Sequence, residues 1–201
     1  MATETMMGGR TSRSRYSTVA IVLHWAIAIL IVTNFFGALW FDELLKSDLA
    51  ADKQLGFRLV QLHKAVGLSI LTLTVLRLLW RLVNPPPRLP AGMPAWQRAA
   101  SRVSHGLLYA LMLLVPLGGW ALVSVSPLDF PISFFGLFDW PQLPFANDKA
   151  LADQLSEGHE LFAKILMGLA AVHLLAALKH QFVDRDNLIA RMWPGGDEAR
   201  A

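Results

Sequence analysis

Six histidines are the residues of this chain whose type and spacing could do chemistry, since it has no cysteine at all. The lack of thiol removes disulfides, zinc-thiolate sites, cysteine-ligated clusters and the Cys-x-x-Cys-His attachment of c-type haem. Three of the six lie on one apolar stretch, Glu157 to Phe182, reading EGHELFAKILMGLAAVHLLAALKHQF. Fourteen residues separate His159 from His173. At about 100° per residue that is close to four turns, so both imidazoles share one face about 21 Å apart along the axis. A helix of this length spans a bilayer. Ionisable side chains inside it are costly and as a rule face the bundle interior as part of a functional site. Two histidines stacked near opposite membrane surfaces therefore ask for two separate partners.

The elements that must supply those partners follow from composition. A hydrophobic fraction of 54%, only 16% charged residues and a mean hydropathy of +0.43 indicate an all-α integral membrane protein, not soluble domains. Apolar runs predict four spans, at about 19–40, 62–83, 105–125 and 159–182. The first exceeds a signal-peptide core and ends in no small-x-small site, so it reads as an uncleaved span. The 41–61 loop is of mixed charge and suggests one or two interfacial turns. The second span closes with Arg77 and Arg81, expected to snorkel, and NPPPRLP then breaks the helix. Trp96 to Ser104 reads as a basic, amphipathic stretch on the interface, and Pro116 with Gly118-Gly119 as a kink or a place of close approach in the third span. The aromatic-rich segment 126–156 reads as a lid on the membrane surface.

The net charge of +3 is segregated by loop, which fits membrane topology and not a nucleic-acid partner. Twelve basic residues fall on the side of the tails, 1–18 and 183–201, counting three before the first span, five from Arg77 to Arg102 and four from Lys179 onward, against Lys46, Lys53, Arg58 and Lys149 opposite. The expectation is that both tails are cytoplasmic.

Depth then pairs the histidines. His24 sits six residues, about 9 Å, into the first span from the cytoplasmic side, and His173 about nine residues, or about 13 Å, from the same side. His63 and His159 each open a span entering from outside. The pairs are His24 with His173 and His63 with His159, roughly 20 Å apart. His180 rivals His173, being seven residues on and about 20° away in projection, though at a shallower depth. His105 and His180 otherwise read as interfacial residues at helix ends. A zinc site would need three or four convergent ligands, and each pair offers two. Opposed imidazoles suit a haem iron, and Ala26, Ala28, Ala65, Gly67, Gly168, Ala170 and Ala171 leave room for a flat macrocycle in a bundle core.

These residues resemble the bacterial cytochrome b561 family over nearly the whole length, Tyr16 to Pro194. The resemblance rests on His24-Trp25, on H-x-x-x-G at His63 to Gly67, and on the arginines of 77–81. It rests also on H-G-x-x-Y at His105 to Tyr109, on His159-Glu160, and on A-V-H-x-x-A-A-L-x-H at Ala171 to His180. It implies a four-helix bundle of the bacterial inner membrane with two b-type haems. Their axial ligands would be His24, His63, His159 and His173, with His105 and His180 not ligating. It further implies exchange of electrons with a ubiquinone-type quinone and, as in superoxide oxidases of this kind, superoxide as a donor outside. Lys64 and Lys164, near the outer haem, would attract that anion or pair with haem propionates. Trp120, Phe130 and Trp140 could line a quinone groove or serve as belt anchors. Alternatives are a haem-bearing membrane subunit of a larger dehydrogenase or hydrogenase, docked through the basic 77–102 loop, and a haem-free scaffold or transporter subunit.

Overall fold

Four helices are long and apolar enough to cross a membrane: α1 (Thr18–Lys46), α2 (Ala50–Val83), α3 (Ala95–Val125) and α4 (Lys149–Lys179). They come from a computed structural model that describes residues 15–90, 92–128 and 130–195. The expected tail positions 1–14 and 196–201, with Arg10, Arg13 and Arg200, lie outside the described residues. The described chain is an all-α, four-span membrane bundle.

Each helix outruns its apolar run, because its polar ends are stabilised locally. Lys46 pairs with Asp42 at 2.6 Å and Glu43 at 3.2 Å, carrying α1 six residues past the expected end. Ser47 Oγ donates to Asp52 at 2.6 Å, so α2 starts almost at once. The 41–61 segment is thus two helix ends joined by a tight connection, not a loop with interfacial turns. Trp96 to Ser104 forms the first turns of α3 instead of a separate surface helix. The Asp148 carboxylate caps α4 by accepting from the Leu151 N–H at 3.1 Å, ten residues ahead of the expected start. His63 and His159 therefore lie inside their helices, not at the openings.

The 126–148 connection is also more ordered than its composition suggested. It holds a hairpin of β1 (Ile132–Phe134) and β2 (Phe138–Trp140), antiparallel, with Ile132 opposite Trp140 and Phe134 opposite Phe138. In the three-residue turn between them Phe135 and Gly136 have positive φ, 52° and 74°. That conformation is free for glycine and strained for phenylalanine. The hairpin is tied to α2, since Lys64 Nζ donates to the Pro131 carbonyl at 2.9 Å and the Ser133 N–H to Gln61 Oε1 at 3.4 Å.

At the opposite end the chain folds back. α4 passes into a π-helical turn (His180–Asp184), then a 3-10 turn (Ile189–Met192). The Trp25 indole donates to the Met192 carbonyl at 2.8 Å, and Trp193 packs on Trp25 with ring centroids 5.5 Å apart. Residues 191–193 thus lie against the start of α1, and the segment is not a free tail. This termini face and the hairpin face bound the bundle.

Within it α1 packs mainly on α2 and α3 on α4, α2 meets α3, and α1 barely touches α4. A seam is left between α4 and the α1–α2 pair. Outside, Val22, Ile29 and Phe36 repeat every seven residues along α1 and are more than half exposed, a surface for lipid.

Candidate functional site

The seam is where the histidines meet. His24 of α1 faces His173 of α4 with ring centroids 6.3 Å apart, and His63 of α2 faces His159 of α4 at 6.0 Å. An imidazole nitrogen binds a metal at about 2.0–2.1 Å and lies about 1.1–1.2 Å from its ring centre, so two rings opposed across one ion have centroids about 6.4 Å apart. Both pairs fit that separation. His105 does not: its ring sits 5.1 Å from His173, too close for two rings on opposite sides of one ion. It was read as an interfacial residue and proves to be a packing neighbour of the His24–His173 pair.

Two of the facing rings are oriented by backbone carbonyls. His159 Nδ1 lies 3.0 Å from the Val115 carbonyl, which can only accept, so Nδ1 carries the proton and Nε2 is left free to bind. His63 Nδ1 donates likewise to the Asn34 carbonyl at 3.3 Å, while the Asn34 amide returns a bond to the His63 carbonyl at 3.3 Å. An apolar chamber of about 200 Å³ adjoins both rings, walled by Ile31, Phe35, Gly67, Ile70, Met112 and Met167.

Close approach on the α3 side depends on Gly119. A Cβ there would stand 3.0 Å from His159 Cε1 and 3.2 Å from Nδ1. Of the small residues expected beside the histidines, Ala65 is completely buried and Gly67 borders Asn34.

Other expected positions go elsewhere. His180 does not face His24: its Nδ1 is 2.7 Å from Asp186 and 3.2 Å from Asp184. These three could gather a cation, but Lys179 already neutralises Asp184 at 2.6 Å. Lys64 is spent on the hairpin carbonyl, and Lys164 on Glu160 one turn before it. Trp120 and Trp140 do meet, with centroids 6.0 Å apart, and the Trp120 indole donates to the Pro141 carbonyl at 3.0 Å, whereas Phe130 is half exposed. Arg77 does not snorkel. Its guanidinium turns inward, giving 2.7 Å to the Ala20 carbonyl of α1 and 3.1 Å to the Tyr109 hydroxyl of α3.

Sequence reasoning passed over Asn34 and Arg77 as interior groups, whereas the close approach it read at Gly118-Gly119 is met at Gly119, by the His159 ring. A lone amide in an apolar span was the available signal for the first.

Four membrane-length helices bring histidines into two facing pairs, an arrangement suited to a helical membrane cytochrome. Comparison with known proteins agrees, the family described as prokaryotic cytochrome b561 matching residues 15–195. The chain belongs to the prokaryotic cytochrome b561 family. It is 35% identical over 179 residues to Cytochrome b561 homolog 2 of Escherichia coli (strain K12), covering 89% of this chain and 90% of that one. It is 30% identical to Probable superoxide oxidase CybB of Yersinia pestis, covering 90% and 96%, and 32% identical to Cytochrome b562 of Cereibacter sphaeroides, covering 90% and 97%. It is accordingly a multi-pass bacterial membrane protein of electron transfer, in a family whose cofactor is haem b.

Proposed function

We propose that the chain holds two haems, one between His24 and His173 toward the termini face and one between His63 and His159 toward the hairpin face, and passes single electrons between them across the bilayer. The observation that carries this is the pair of centroid separations, 6.3 and 6.0 Å, at two levels of the same helix. Haem supplies reversible one-electron chemistry at iron when bound. The chain's own residues set everything else. Val115 and Asn34 fix which nitrogen of His159 and His63 faces the iron, and the chamber beside both rings is lined mainly by apolar side chains.

Both termini lie in the cytoplasm by the excess of basic residues on their side, which puts the hairpin face outside. Electrons are exchanged with a ubiquinone-type quinone, and the donor at the hairpin face is superoxide, a reading supported by the name of the Yersinia pestis relative. Steering by cations has less to draw on than the sequence suggested, because Lys64 and Lys164 are both engaged. An enzymatic superoxide source added to purified protein with ubiquinone is expected to reduce the haem and then the quinone, and His63→Ala to stop both. Haem reducible by dithionite but untouched by superoxide would remove that donor and leave the electron carrier. Quinone reduction by the isolated chain would count against an obligatory place in a larger dehydrogenase or hydrogenase.

Asn34 supplies a smaller test. Asn34→Ala keeps its own carbonyl but deletes the amide bond to the His63 carbonyl, a neutral bond contributing about 0.5–1.5 kcal/mol. The variant is expected to keep both haems but release the hairpin-side one at lower temperature, followed by visible absorption on heating. An unchanged release curve would mean that the amide does not help hold α1 on α2 at this level.

A further inference from the structure

Arg77 stands out in the interior. It is half-buried in the bundle and forms no ion pair among the described residues, its only hydrogen bonds going to neutral groups, the Ala20 carbonyl and the Tyr109 hydroxyl. A guanidinium is always charged, and placing one among apolar helices without an anion is costly. Its two partners fix its level. Ala20 is one turn before His24 on α1, and Tyr109 is one turn after His105, whose ring packs on His173. Arg81 lies over the Tyr109 ring, 5.7 Å from its centroid, adding a second cation and no anion. Three residues before Arg77, on the same face of α2, Thr74 is completely buried and its hydroxyl has no hydrogen-bond partner among the described residues. A free hydroxyl and an uncompensated guanidinium one turn apart ask for an acceptor carrying negative charge.

The hairpin-side chamber is different. The charged groups in its wall are Glu160 and Lys164, which neutralise each other.

We propose that Arg77, backed by the Thr74 hydroxyl, receives a carboxylate of the porphyrin held by His24 and His173 and makes that haem the higher-potential one of the pair. This rests on the two-haem reading above. A cation beside a haem favours the reduced iron, which carries one positive charge fewer than the oxidised iron, and it does so strongly in a low-dielectric interior. The electron is therefore drawn from the hairpin side toward the termini side, with Arg77 acting as a positioning residue and not a ligand.

Redox titration of the purified protein, with haem quantified per chain, tests this in wild type, Arg77→Gln and Arg77→Lys. Each is also made with His63→Ala, which leaves only the termini-side haem. Arg77→Gln is expected to keep its haem while the equilibrium for reducing the termini-side haem falls about tenfold, which is 59 mV for a one-electron couple. Arg77→Lys keeps the charge and is expected to stay within about threefold of wild type. Unchanged potentials in a haem-replete Arg77→Gln variant overturn the proposal. If they come with loss of co-purifying anionic phospholipid, the guanidinium serves a lipid phosphate instead. Should Arg77→Gln not assemble, a haem-bearing Arg77→Lys whose potential has dropped overturns it equally, and one that holds the wild-type potential upholds it. Absence of haem from the wild type would instead sink the two-haem reading itself.

Discussion

His173→Ala is expected to leave the protein with about one haem in place of two, the survivor being the one between His63 and His159. The side chain lost is one of two opposed imidazoles, and a methyl group offers iron nothing. Rescue would have to come from His105, the neighbouring ring at 5.1 Å. That ring is held by its own bond, Nδ1 to the Ser101 carbonyl at 2.6 Å, and it packs beside His173 on α3. It is not placed to take over. His180 is no better a substitute, because Asp186 holds it at 2.7 Å. Extracted haem per chain, with the reduced-minus-oxidised spectrum, reads the result. His159→Ala should lose the other haem, and the double variant both. Full haem in His173→Ala would mean that the facing pairs are not the ligands, and the assignment would have to be rebuilt around His105 or His180.

What could be read from the sequence divides along a physical line. Helix periodicity places side chains on faces, so His159 and His173 could be stacked, and His24 matched to His173 in depth, from residue spacing alone. Hydropathy gives the apolar middle of each helix but not its ends. Those are set by capping and ion pairs such as Asp148 to Leu151 and Lys46 to Asp42, which lie beyond the apolar run. Backbone groups have no residue signature, so the carbonyls of Val115 and Asn34 that orient the site could not be foreseen. The hairpin escaped because its strands are three residues each, too short to show alternation. Arg77 is the most instructive case. A long cation near a helix end can reach for water or turn inward, and only the positions of Ala20 and Tyr109 on neighbouring helices decide between them.

Gly119→Val is expected to remove the hairpin-side haem although no ligand is changed. The first atom added, Cβ, already falls 3.0 Å from His159 Cε1 and 3.2 Å from Nδ1, and the two methyl groups must then go further into the same space. The ring cannot simply retreat, for its Nδ1 is bonded to the Val115 carbonyl on that same helix. Moving away breaks this bond, worth about 0.5–1.5 kcal/mol, and turns Nε2 off the line toward His63. Helix propensity does not oppose the change, since valine is a better helix former than glycine. The adjacent residue gives the control. A Cβ on Gly118 meets nothing within 4 Å, so Gly118→Val should assemble with both haems. The expected outcome is about one haem per chain for Gly119→Val against two for Gly118→Val, with helix content by circular dichroism alike in both. Two haems and an undisturbed low-spin spectrum in Gly119→Val would show that the His159 ring is not pressed on Gly119 in the loaded protein.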